Sequence, residues 1–189
     1  MKIKHSIHPL KEEELDMKAS NQKAQETVLT YETQNDIPKE ARAQLNGLMN
    51  QRLADALDLQ SQLKQAHWNV KGPSFIALHE LFDDIDEAVE EYVDLIAERI
   101  VQLGGIAQGT VRTVALVSRL VEYPNPISDG SAHVEAIASV LSIFGGEIRQ
   151  SIDHANELKD ADTADMFTEI SRGIDKYLWM IEAHNQALK

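Results

Sequence analysis

Two pairs of side chains in the middle of this chain have the types and spacing to share a metal ion. His79 and Asp83 stand four residues apart, as do Asp94 and Glu98, and side chains at that interval are neighbours on one helix face. At about 100° per residue all four fall on one side of a helix, opposite an apolar stripe of Leu78, Leu81, Ile85, Val89, Tyr92, Ile96 and Leu103. Imidazole with carboxylate is a donor set for first-row divalent metals. Asp83 and Asp94, however, lie roughly 16 Å apart along the helix axis, so the two pairs cannot meet within one chain. If all four serve one centre, the helix must face an antiparallel copy of itself, and a two-fold dimer then holds two such centres. The same residues also suit a plain solvated face, which Glu87 and Glu90 share. His67 is more ambiguous still. Its phase sets it beside Leu63 on an apolar stripe, where a lone histidine is more often a hydrogen-bonded core residue than a ligand.

Other chemistries are excluded by what is missing. The chain has no cysteine, which removes thiolate metal sites, cysteine nucleophiles and disulfides. Di-iron centres inside one bundle use Glu-x-x-His pairs pointing into the core, and none of the seven histidines has a glutamate three residues before it. No Gly-x-Ser-x-Gly elbow, phosphate loop or dinucleotide-binding glycine turn is present.

The elements that must position these residues are long helices. The first is expected from about Lys39 to Val70, stopped by Lys71-Gly72-Pro73-Ser74, and the second from about Phe75 to Leu103, ending at Gly104-Gly105. A short helix is expected near Thr113 to Leu120, before Pro124 and Pro126. The third long helix runs from a cap at Ser131 to Lys159, and the fourth from a cap at Thr163 almost to Lys189. Strand alternation is absent. The long connection between Gly104 and Gly130, set between two short ones, fits a ferritin-like four-helix bundle with a long crossover. The expected organisation is an N-terminal arm over residues 1–38, partly mobile, and one all-α domain over residues 39–189.

Composition sets the solution properties. Apolar residues make up 43% of the chain and charged residues 26%, as in ordinary globular proteins. No stretch approaches the ~18 consecutive apolar residues of a membrane span, and the first ten residues carry no apolar run of a signal peptide. A cytoplasmic location is expected. The net charge of −13, from 31 acidic and 18 basic residues, attracts cations and repels nucleic-acid phosphates.

Several runs of sequence carry a specific resemblance. His67-Trp68-Asn69-Val70-Lys71-Gly72, Phe75, Leu78-His79-Glu80 and Asp83-Asp84, followed by Asp94, Ala97-Glu98-Arg99 and Gln102-Leu103-Gly104-Gly105, resemble the signature of the Dps family of miniferritins. Thr163-Ala164-Asp165-Met166, Ile174-Asp175-Lys176 and Trp179-Met180 are similar to that family's last helix. The resemblance implies a dodecameric shell of ferritin-like subunits that oxidises Fe(II), by preference with hydrogen peroxide, and stores ferric mineral. Carried over by motif, the ferroxidase ligands are His67, His79 and Asp83 of one subunit facing Asp94 and Glu98 of its two-fold mate. Zn(II) or Mn(II) are alternative occupants of that donor set. Trp68, beside a ligand, either fills the dimer interface or takes up a stray oxidising equivalent. Asp165, with Asp160 and Asp162 flanking it, is the expected lining of an iron-entry pore, unless these are solvated charges at a helix N-terminus.

DNA binding is expected to be weak or absent. Members that bind DNA do so through lysine-rich tails, whereas residues 1–36 here hold five lysines against seven acids. Such a tail gains little from counterion release. His5 and His8 form at most a separate metal-binding point in that tail. The alternative is a DNA-compacting protein of the same fold with little catalytic role; a purely architectural cage and a full-size ferritin are weaker readings.

Overall fold

A computed structural model describes residues 31–186. The arm's first thirty residues, with His5 and His8, and the last three residues lie outside the described range. Five helices follow in order: α1 Lys39–Asn69, α2 Phe75–Gln102, α3 Val111–Val117, α4 Gly130–Glu157 and α5 Ala161–Glu182. No strand occurs among the described residues, and one isolated bridge joins Lys71 to Asp129. Short connections make α1–α2 and α4–α5 antiparallel hairpins, which supply most of the packing; α1 also meets α4, and α2 meets α5. The crossover carries α3, which lies against α1. This is the all-α ferritin-like bundle expected from the breaker pattern.

The core is apolar from end to end. Leu45, Met49, Leu53, Leu59 and Leu63 of α1 face Phe82, Ile85, Val89, Ile96 and Ile100 of α2, with Ile137, Leu141, Phe144 and Ile148 of α4 and Phe167, Ile170 and Ile174 of α5, all buried. These are the i, i+3, i+4 positions of amphipathic helices. Truncating one of the large ones, such as Phe144, costs about 3–5 kcal/mol.

Helix starts differ from expectation where two capping side chains stand in one turn and local geometry selects the aspartate. The N-cap of α4 is Asp129, whose side chain accepts from Ser131 N and Ala132 N, and not Ser131. Asp160 caps α5 by accepting from Thr163 N, so the expected cap Thr163 lies inside the first turn. The crossover helix stops at Val117 and not at Leu120, because Ser118 donates to Asp58 at 2.5 Å and Arg119 N donates to Asp55 at 2.9 Å, which turns the chain back onto α1. The last helix ends at Glu182, earlier than expected, where Asn185 turns back to bond Ser131 at 3.0 Å.

The α1–α2 turn is the piece that positions the candidate site. Gly72 adopts φ 111°, a conformation that L side chains rarely take, and its carbonyl accepts from Phe75 N at 3.0 Å to start α2. Lys71 N donates to Ser128 O at 2.9 Å, so the end of the crossover braces the turn from behind.

Candidate metal centre

His67 stands in the last turn of α1 and His79 near the start of α2, facing each other across this turn. Their rings stack with centroids 3.7 Å apart and planes at 19°. Each ring bonds the other's backbone: His67 Nδ1 to His79 O at 2.8 Å, and His79 Nδ1 to His67 O at 2.9 Å. A carbonyl only accepts, so both Nδ1 atoms carry the proton and both Nε2 lone pairs are left free. A backbone carbonyl on one ring nitrogen is the arrangement by which proteins orient the other nitrogen toward a metal. Phe75 lies against the outer side of His79, ring centroids 5.1 Å apart.

Asp83 stands one turn further along α2, its Oδ1 3.8 Å from His67 Nδ1. Lys64 Nζ donates to the same oxygen at 2.6 Å and to Asp86 at 2.9 Å. The hydrogen bond from Lys64 holds the Asp83 carboxyl below its usual range, and the two carboxylates push the Lys64 ammonium up. Asp83 is therefore ionised at neutral pH, a charged donor beside two imidazoles. Asp86 is buried, so Lys64 both anchors the hairpin and touches a candidate ligand. Sequence reading passed over Lys64 and Asp86. The signal was available in the spacing, since Lys64 is three residues ahead of His67 on the same helix and such neighbours share a face.

Asp94 and Glu98 lie far along α2, both exposed. The structure thus pairs the His67 and His79 rings, sets Asp83 beside His67, and leaves Asp94 and Glu98 apart from them. Among the described residues of one chain, no three histidine, aspartate or glutamate side chains are grouped so as to hold a metal ion. Both groups of residues are flanked by exposed apolar side chains. Trp68 is 70% exposed and Ile76 60% exposed near the histidines, while Val101 is 60% exposed beside Glu98. Apolar surface of that kind beside ionisable groups marks a face that another surface covers.

The three aspartates near the start of α5 have separate roles. Asp160 is buried, caps the helix, and pairs with Arg99 Nη2 at 2.8 Å. It is engaged within the subunit, whereas the sequence expectation set it beside Asp165 at a pore. Asp162, 87% exposed at its side chain, and Asp165 face outward.

Residues 46–189 match the model of the ferritin-like domain family, which agrees with the bundle and its crossover. A DNA protection during starvation protein of Agrobacterium fabrum is 43% identical over 83% of this chain and 97% of its own length. One of Brevibacillus brevis is 33% identical over 72% of this chain and 91% of its own. Among solved structures, DpsA14 from Streptomyces coelicolor superposes with a TM-score of 0.81 at 32% identity, covering 85% of this chain and 95% of that one. Mycobacterium smegmatis Dps in its tetragonal form gives 0.80 at 29% identity, over 84% and 96% of the two chains. The chain belongs to the Dps family. Among the described residues, no helix is long and apolar enough to cross a membrane.

Proposed function

We propose that this chain is a ferroxidase and iron-storage subunit that assembles with its copies into a dodecameric shell. Its site is shared between two subunits: His67, His79 and Asp83 of one, with Asp94 and Glu98 of its two-fold mate. The observation that carries this reading is the paired histidines, whose Nδ1 atoms are tied to backbone and whose Nε2 lone pairs are free, with the Asp83 carboxylate 3.8 Å from the His67 ring, a set that the single chain does not complete. Family membership supports iron as the metal and storage with protection as the role.

Fe(II) is the substrate. Imidazole nitrogens and carboxylate oxygens bind it, and the harder carboxylates favour the ferric product, so the donor set favours oxidation. Hydrogen peroxide takes one electron from each of two Fe(II) ions and leaves as hydroxide, which avoids release of hydroxyl radical. The ferric ions then mineralise inside the shell. Asp162 and Asp165 are the remaining carboxylates for an entry path, and Trp68 fills the subunit interface beside the site. The surface charge, −13 per chain, opposes DNA; retarded plasmid in a gel shift at ordinary salt and neutral pH would overturn that part.

The test is Fe(II) oxidation by peroxide, followed by absorbance, in the wild type and in a chain carrying His79→Ala with Asp83→Ala. A fast reaction that is lost in an equally well-assembled double variant supports the site. Equal rates would mean that these residues are only a polar interface.

A further inference from the structure

The crossover carries a buried pair that the proposed iron chemistry does not use. Tyr123 is 8% exposed, His133 at the start of α4 is fully buried, and the Tyr123 hydroxyl is hydrogen-bonded to His133 Nδ1. Burial lowers the pKa of His133 and raises that of Tyr123, so both are neutral at pH 7. A neutral phenol beside a neutral imidazole makes the phenol the donor and Nδ1 the acceptor. The proton on the ring is then at Nε2, where the Asn69 backbone is the polar group that faces the ring, with Lys71 and Asp129 acting on it from further off. A structural clamp needs only one such bond. A phenol sealed from water with a free base on its hydroxyl has a further property, because phenols are oxidised readily only when the proton can leave with the electron.

The pair also lies against the elements that hold the candidate ligands. His133 packs against Phe82, ring centroids 6.5 Å apart, and Phe82 precedes Asp83 on α2. Asn69, which acts on His133, is two residues beyond His67 on α1. Gln65 reaches Asn125 at 3.4 Å and Gln62 reaches Val121 O at 3.0 Å, which seats Tyr123 against the same end of α1.

We propose that Tyr123 and His133 form a redox-active pair that quenches one-electron oxidants generated beside the metal centre. The oxidant is the hydroxyl radical made when peroxide takes one electron from a lone Fe(II). Tyr123 gives it one electron, reducing it to hydroxide, while the phenol proton moves to His133 Nδ1, leaving a neutral tyrosyl radical and an imidazolium. A second Fe(II) then reduces the radical, the proton returns from His133, and the products are Fe(III), the phenol and neutral imidazole. The source of the oxidant rests on the ferroxidase reading above; the oxidisable pair does not.

Freeze-quenched electron paramagnetic resonance on the assembled protein tests this in two arms. In the first, substoichiometric Fe(II) is followed by peroxide; in the second, the iron-free protein is oxidised by flash-photolysed tris-bipyridyl ruthenium with persulfate. A tyrosyl signal is expected in both, lost in Tyr123→Phe and weakened in His133→Gln, which keeps an acceptor but cannot hold the proton. Tyr123→Phe is expected to assemble and to consume Fe(II) at the wild-type initial rate. Persistence of the signal in Tyr123→Phe would place the radical on Tyr31, Tyr92 or Tyr177 and overturn the proposal, as would its absence from the iron-free arm. A Tyr123 signal in the iron-free arm alone, with no Fe(II) oxidation in the first, supports the pair and counts against the ferroxidase reading.

Discussion

Two charged clusters sit on α1, and they are built on opposite terms. Around Arg52 the charges are matched inside the subunit: the guanidinium, 2% exposed, pairs with Asp55 at 3.1 Å and with Glu147 of α4, and Asp55 also accepts from Arg119 N of the crossover at 2.9 Å. Around His67 the backbone-facing nitrogens are tied down while the outward ones are free, and exposed apolar side chains surround them. The first cluster closes the bundle onto its crossover. In the proposed reading the second is half of a site. Charges matched within the chain hold the fold, whereas polar groups preorganised by backbone but left open are set up for something outside it.

The sharpest way to break that contrast is at Arg52. Arg52→Ala leaves Asp55 buried without its counter-charge and is expected to cost about 3–5 kcal/mol, read as a fall in the denaturation midpoint of the assembled protein. A loss below about 1 kcal/mol would place the cluster with ordinary surface pairs.

Lys64 tests the boundary between the two clusters, because it anchors buried Asp86 and also occupies an oxygen of Asp83. Lys64→Gln frees Asp83 and lets its pKa rise back toward 3.8. Anaerobic calorimetry is expected to show Fe(II) binding tightened by about tenfold, the scale on which groups bonded to a ligand alter metal affinity. Weaker binding would show instead that Lys64 supports the ligand more than it competes for it.

The smallest effect is expected at His133. Its folded pKa lies below the ordinary 6.5 because of burial, so the unfolded chain binds the extra proton first as pH falls. Its stabilising contribution is full above 6.5 and is lost as pH falls below that value toward the lowered folded pKa, by no more than about 1.4 kcal/mol per pH unit. Thermal melts at pH 7 and pH 5 should show a shallower pH dependence in His133→Gln than in the wild type. An unchanged slope would assign the acid sensitivity to other groups.

Much of this was legible beforehand, for physical reasons that differ from residue to residue. Glycine and proline break the chain where the helices end, and the α1–α2 turn at Gly72 follows directly from them. His79, Asp83, Asp94 and Glu98 were readable because a helix turns a four-residue spacing into a face. His67 was not readable from phase alone. It lies on the side of α1 that elsewhere is core, and it is usable only because α1 ends two residues later and the turn opens space for the His79 ring. Asp160 shows a limit of another kind: an acidic residue near a helix start reads as solvated charge, and only the structure shows Arg99 reaching it from α2. Capping by Asp129 and Asp160 in place of Ser131 and Thr163 shows the same limit, since several residues in each turn have capping side chains and local geometry chooses among them.

The central claim is that one site needs two subunits, and subunit mixing tests it most directly. His79→Ala and Glu98→Ala chains are each expected to lose peroxide-driven Fe(II) oxidation when assembled alone. Co-assembled in equal amounts, their mixed two-fold dimers contain one site broken twice and one site intact, so about a quarter of wild-type activity should return. Recovery at that level requires a shared site. If mixing two inactive chains restores nothing, although mass spectrometry shows that they co-assemble, the centre is not shared across the interface and the account fails.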